Sequence, residues 1–276
     1  MPGHVSLWSR IGLGVGIIGM VMCTDAEVTH APDVEAGRLQ EPDSDDVSLG
    51  GSATEIRYHL TWDWGAAEPT DGGWRVITDR GYEVEVTEGY LVTYSVQLAP
   101  CTEEELGARL KLPRLLGAGR AWAGHGGAED PSAWLTGIAE PLATPQSVSL
   151  EPVALDAGLY CNAHYLVARA EGKTRGLPDA FNMVGTSLYI QGTAALDGGE
   201  PQPFSIWSTL PVGELVVWSD PVSPVDLSDG TIDVTFTRDL GRLFDGVAFQ
   251  TMNDESIEKT VLLGLIERLS VTLGAP

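Results

Sequence analysis

From Glu55 to Asp63 apolar and polar residues alternate: Ile56, Tyr58, Leu60 and Trp62 share one face, while Arg57, His59, Thr61 and Asp63 share the other. A period of two is the mark of a strand with one buried face. The alternation returns in YEVEV (82–86), with Tyr82, Val84 and Val86 inward and Glu83 and Glu85 outward. It returns again in YLVTYSVQL (90–98), which places Tyr90, Val92, Tyr94, Val96 and Leu98 on one face. Gly89 separates the two runs, so they read as a hairpin. EPTDGG (68–73) carries turn residues. Residues 101–146 lose the rhythm. After Cys101 comes TEEELGARL, a candidate helical turn, and then a Gly- and Ala-rich stretch around AWAGHGGAEDPSAW. A long irregular segment inside a domain is usually a functional loop or a disordered one.

Strand signals resume in SVSLE (147–151) and LYCNAHYLVA (159–168), then in SLYIQG, PFSIWST, GELVVWS and TIDVTFT (187–237). RDLGRLFDG (238–246) spaces Leu240, Leu243 and Phe244 as a short helix would. From Asp254 to about Leu273 the pattern is helical: Asn253 is the N-cap, Asp254 and Glu255 fill the first turn, and Ile257, Val261, Leu265 and Leu269 form the stripe. The chain therefore reads as mainly β, an antiparallel β-sandwich with a long irregular insert and a C-terminal helix. Strands and helices do not alternate, which argues against a doubly wound α/β sheet.

The N-terminal region belongs to a different class. Residues 11–22, IGLGVGIIGMVM, are uncharged and apolar. The run is shorter than the ~20 residues that span a bilayer and falls within the ~7–15 residues of a secretory signal core. Cys23 follows directly. Thr24–Ala53 then carries eight acids against one base, Arg38, too polar to repay ordering. This order resembles a bacterial lipoprotein: a leader over 1–23 with Cys23 as the lipidation site, a disordered acidic tether over 24–54, and one folded domain over 55–276. A signal-peptidase cut near Ala26 is the competing form of processing. Both readings export the protein to the periplasm or outer membrane, and lipidation would anchor it to the membrane.

Lys and Arg number 16 against 39 Asp and Glu, a formal charge of −23. That field repels phosphate backbones and argues against a nucleic-acid partner. Cys101 and Cys161 remain as an even pair in an exported chain, which predicts a disulfide. The sequence has no GxSxG, GxxxxGK[ST], HExxH or strand-borne GxGxxG pattern, so no catalytic activity is expected. Three histidines fall in the folded region: His59 in YHLTWDWG between aromatic residues, His125 in AGHGG, and His164 in CNAHY. Imidazoles converging from separate segments would suit copper or zinc. His164 lies three residues after Cys161, hence on the opposite strand face.

The run GYEVEVTEGYLVTYSVQL, ending in Ser95, Val96, Gln97 and Leu98, resembles a pattern in the methanobactin-partner family of exported copper-binding proteins. AGLYCNAHYLVA resembles its later Gly-x-Tyr strand through Gly158 and Tyr160. RDLGRLFDG resembles its Asp-x-x-x-Leu-Phe-x-Gly element through Asp239, Leu243, Phe244 and Gly246. The resemblance covers about residues 55–250. It implies a β-sandwich that binds copper through histidines near an oxidisable tryptophan, here His59 with Trp62 or Trp64, completed by His125 or His164. The expectation is an exported cell-envelope protein that binds a metal ion, copper, without catalysis. The alternative is a structural or interaction module of the bacterial surface with no metal and an envelope protein as partner.

Overall fold

The computed structural model describes residues 54–101, 133–155, 158–217, 225–226 and 231–274. Cys23, His125, the leader and the tether lie outside the described residues.

The opening alternation becomes β1 (Thr54–Asp63), with Ile56, Tyr58 and Leu60 fully buried. β1 is central in the first sheet. It pairs antiparallel with β6 (Val148–Ser149) and β7 (Val153–Leu155), and parallel with β13 (Thr231–Asp239) over nine residue pairs. β14 (Ser270–Gly274) closes the far edge against β13.

The second sheet is organised by β4 (Tyr82–Pro100), a single strand of 19 residues. One side of β4 takes β9 (Leu188–Leu196) and then β8 (Leu159–Val167). The other side takes β3 (Gly73–Ile77) and then β5 (Ile138–Pro141). Outside these lie β2 (Glu68–Thr70) on β3, β10 (Gln202–Ser208) on β9, and β11 (Val212–Val217) and β12 (Val225–Asp226) on β8.

The hairpin expected at Gly89 is therefore replaced by one continuous strand. A Cβ at Gly89 would sit 2.9 Å from the Tyr189 carbonyl oxygen, so this glycine permits close approach of β9 and makes no turn. The pairing with β9 slips between Val86 and Glu88, and a one-residue slip transfers side chains to the opposite face. Val84 and Val86 face the main core before the slip and Leu91 after it. Val92 joins a small cluster on the outer side with Ala139, Ala170, Met183 and Tyr189. A second shift, opposite β8 between Thr93 and Ser95, returns Val96 and Leu98 to the main core. The five apolar residues of 90–98 thus do not share a face.

The inner faces of the two sheets meet as a sandwich. Tyr58 and Phe236 of the first sheet stack at 6.1 Å, and Phe236 meets Tyr165 of the second at 5.8 Å. Leu98 N donates to the Tyr58 hydroxyl at 3.0 Å. Further along, Trp74 and Phe244 are fully buried, and Trp74 Nε1 donates to the Leu142 carbonyl at 2.7 Å. Each such side chain contributes roughly 1.5–3 kcal/mol through apolar burial.

Three expected elements are corrected. The insert is not irregular throughout, because Ile138–Pro141 forms β5 on β4. RDLGRLFDG is not a helix. β13 runs through Asp239, and successive turns follow, with Leu243 N donating to Leu240 O and Val247 N to Phe244 O. They keep Leu240, Leu243 and Phe244 buried, and Gly246 at φ 81° supplies the left-handed residue that leaves the segment. The C-terminal helix α1 spans Asp254–Glu267, shorter than expected. Asn253 caps it by accepting from Ser256 N at 2.9 Å, and the predicted stripe is buried. Beyond it Val271 and Thr272, stiff β-branched residues, enter β14, where β13 offers a ladder.

Cys101 follows β4 and Cys161 lies in β8, next to the Pro100–Tyr160 pair. Their Cα atoms are 4.8 Å apart and the sulfurs are bonded, as expected. Among the described residues no helix is long and apolar enough to cross a membrane.

Candidate functional site

His59 lies on the outer face of β1, since its neighbours Tyr58 and Leu60 are buried. His164 lies on the outer face of β8, between buried Ala163 and Tyr165. The two strands belong to different sheets, so the core stands between these imidazoles and they do not converge. His125 lies outside the described residues. Among the described residues no group of three His, Cys, Asp or Glu side chains could hold a metal ion. Both His59 nitrogens are engaged: Nδ1 is 2.9 Å from Ser149 Oγ, and Nε2 is 3.1 Å from Asp233 Oδ1. Among the described residues the expected copper ligands are therefore not brought together. Trp62 is no neighbour of that imidazole either, because residues three apart on a strand face opposite ways. Trp62 is nearly buried, and Trp64 packs at the margin of the core.

The Ser149–His59–Asp233 row has the residue types of an acyl-transfer relay. Acyl transfer also needs a recess that holds substrate against the nucleophile. These residues sit on a sheet face, and they line neither the cavity at β10 nor the one beside Tyr94 and Arg169. Their hydrogen bonds cross from β6 to β1 to β13 and knit the three strands together.

The inner face holds a charge network that contains no histidine. Arg238, on β13, is fully buried, and Glu140, on β5, is 1% exposed. The guanidinium and carboxylate pair through two bonds, Nη1–Oε1 at 2.5 Å and Nη2–Oε2 at 2.8 Å. Thr93 Oγ donates to Glu140 Oε1 at 2.6 Å and lies 2.8 Å from the Tyr165 hydroxyl. Arg238 Nε donates to the Thr61 carbonyl at 3.2 Å. The Trp62 ring lies against the guanidinium, 4.2 Å from centroid to Cζ. Burial, the largest single influence, opposes the charge on Arg238, but Glu140 and Tyr165 together outweigh it and hold the arginine pKa above its ordinary value. Burial raises the Tyr165 pKa as well, against the pull of Arg238. The network ties β13 of one sheet to β4, β5 and β8 of the other. One signal for it was present in the sequence: the parity that buries Val234 and Phe236 also buries Arg238.

The recess with chemical variety lies elsewhere. A cavity of about 460 Å³ runs between β10 and the start of α1. It touches all six residues from Gln202 to Trp207. Consecutive strand residues alternate between faces, so a cavity that meets every one of them follows the strand's edge. β10 is the last strand of its sheet among the described residues. The facing wall comes from Phe249, Gln250 and Met252, then from Asp254, Ile257 and Glu258 of α1. Spacings of three and four place those helix residues on one face. Phe249 packs tilted against Phe204 at 4.9 Å and edge-on against Tyr82 at 5.4 Å, giving an aromatic floor. Gln250 N donates to the Tyr82 hydroxyl at 3.3 Å. Ser208 Oγ donates to Glu258 Oε1 at 2.5 Å and ties β10 to α1 at one end.

Beside this edge, on the outer face, Tyr90, Tyr189 and Trp207 stand directly opposite one another on β4, β9 and β10. Phe181 packs edge-on against all three, and Trp207 remains 48% exposed. The Tyr189 hydroxyl is 3.0 Å from Glu88 Oε2 and 2.6 Å from Gln191 Oε1. Burial first, then the hydrogen bond and charge of Glu88, push its pKa up to about 12. The folded value is raised above the unfolded value of about 10. Its contribution to stability is therefore complete below about pH 10 and is lost as the pH climbs through about 12. Tyrosinate absorbance is expected to show late titration from Tyr189 and Tyr165, and Tyr189→Phe should lower its amplitude by one tyrosine. An undiminished late amplitude in that variant would refute the assignment.

No protein-family model, curated protein or solved structure matches the chain.

Proposed function

We propose that the chain is an exported, non-catalytic binding module that engages its partner in the cleft between β10 and α1. The observation that carries this reading is the chemistry of the cleft wall. Tyr82, Phe204 and Phe249 supply an aromatic floor, Gln202 and Gln250 supply amides, and Asp254 and Glu258 supply carboxylates. A cavity of about 460 Å³ that joins an aromatic floor to several polar groups has the apolar and polar elements that a small-ligand or side-chain site combines. The buried charges among the described residues, Arg238 and Glu140, are closed on one another. The His59 row occupies a flat strand face. The interaction-module reading of the sequence is therefore favoured over the copper reading.

Export is supported by the apolar leader before Cys23 and by the bonded Cys101–Cys161 pair, which suits an oxidising compartment. Lipidation of Cys23 would hold the module at the membrane.

The cleft is tested with phenethylamine, a small aromatic cation that matches both the floor and the rim. Titrated into the ¹⁵N-labelled chain, it is expected to move amide resonances of Phe204–Trp207 and Gln250–Glu258. Shifts scattered over the surface, or confined to the His59 row, would overturn the assignment of the site.

A further inference from the structure

The cleft is bounded on one side by a strand edge and on the other by a helix. This arrangement suits main-chain recognition, in which an extended peptide adds a strand to the free edge and sends alternate side chains to either side. We infer that the cleft takes an extended peptide segment with alternating basic and apolar residues, seated as an additional strand on β10. The inference rests on the cleft being the binding site and names what binds there.

The edge supplies the register. Every second N–H and C=O of an edge strand points outward, and six residues of β10 line the cavity, a length of roughly 20 Å at about 3.4 Å per residue. Pro203 has no N–H to offer, so the added ladder ends there, at the Gln202 end of the cleft. At the other end the Ser208–Glu258 hydrogen bond closes the groove. The strand therefore lies along Phe204–Trp207, between two stops.

The side chains supply the selectivity. Phe204, Phe249 and Tyr82 form the apolar floor, and Asp254 and Glu258 project from α1 toward the same space. Phe204 and Ser208 share a strand parity, and Ser208 reaches Glu258, so the floor and the carboxylates lie on one face of β10. A seated strand would lay one set of side chains along the floor with their ends at the carboxylates and send the alternate set to the Trp207 face. Basic residues answer the first set, their apolar stems on the aromatic rings, and apolar residues the second. The charge of the whole chain, −23, also steers a basic partner inward and raises its rate of encounter. The same charge disfavours a second copy at this edge, because self-pairing would bring Asp254 and Glu258 of both copies together.

The experiment uses the ¹⁵N-labelled full chain and three peptides: six residues alternating lysine and valine, the same peptide N-methylated at alternate positions, and its glutamate-for-lysine counterpart. The lysine peptide is expected to bind with shifts at Phe204–Trp207 and Gln250–Glu258. N-methylation should weaken binding at least tenfold, because it removes the donors that pair with β10. The glutamate peptide should not bind. Asp254→Lys, or Gln250→Lys if the first variant does not fold, should weaken the lysine peptide at least tenfold.

Equal binding of the N-methylated peptide would overturn strand addition while leaving the cleft as a site for cations. If phenethylamine shifts the cleft and the lysine peptide does not, the inference falls alone. If neither probe does, the binding-site reading falls with it. A concentration-dependent dimer that Ser205→Pro abolishes would assign the edge to a second copy and overturn the inference.

Discussion

Replacing Arg238 with methionine is expected to remove about 3–5 kcal/mol of stability, because it leaves Glu140 buried and uncompensated. The folded domain as a whole is expected to hold only about 5–15 kcal/mol, so a urea melt should show a large fall in midpoint or no folded baseline. The energetics lie in what would remain. Glu140 is 1% exposed and loses both guanidinium bonds, keeping only the Thr93 hydroxyl. The Trp62 face would lose its cation at 4.2 Å, a contact of up to about 2 kcal/mol when desolvated. The double variant Arg238→Met with Glu140→Leu should recover most of the loss, since apolar groups of similar volume often replace a buried ion pair at little cost. The test is this non-additivity. A single variant that costs under about 1 kcal/mol, or a double variant that costs the sum of its parts, would show that the pair is not the coupled inter-sheet clamp described here.

Opening the disulfide between Cys101 and Cys161 has the second largest expected effect. The bond joins residues 60 apart, and in the chain-entropy model such a loop is worth roughly 4 kcal/mol. In a domain of this size that loss corresponds to a fall in Tm of about 8–16 °C. Cys161 is fully buried, so Cys161→Ala is a better replacement than serine, which would bring a hydroxyl into the core. Pairing Cys101→Ser with Cys161→Ala leaves no free thiol from this pair. Reduced wild type and the double variant should melt alike, well below the oxidised protein. Equal melting of the oxidised and reduced forms would remove the disulfide from the account of stability. The same samples bear on export. The chain taken from the envelope fraction should arrive oxidised, with Cys101 and Cys161 reacting with a maleimide only after reduction.

The errors in reading the strands come from one physical source. Alternation identifies a strand but cannot reveal where its register slips. In β4 the slip opposite β9 moved Val92 away from the main core, and Gly89, which looked like a turn, proved to be a point of close approach to Tyr189. The C-terminal stretch shows the same limit for helices. Asn253 and the stripe from Ile257 to Leu269 were legible because capping and period are local. The change to strand after Leu269 was not, because it depends on β13 being there to pair with.

The candidate sites divide in the same way. The opposite facing of His59 and Trp62 was legible from strand parity alone, although the family resemblance had paired them at one site. The Cys101–Cys161 bond was legible from an even pair of cysteines behind an apolar leader. Sequence pattern thus sufficed for the mainly β class, the disulfide and the start of the C-terminal helix, since each rests on neighbours a few residues apart or on simple counting. The parallel pairing of β1 with β13, the meeting of Arg238 with Glu140, and the cleft between β10 and α1 rest on residues brought together from distant segments. Thr61 and Thr237, hydrogen-bonded across the first pairing, are 176 positions apart. Contacts of that range depend on how two sheets stack and which strands become edges, and only the packed structure decides that.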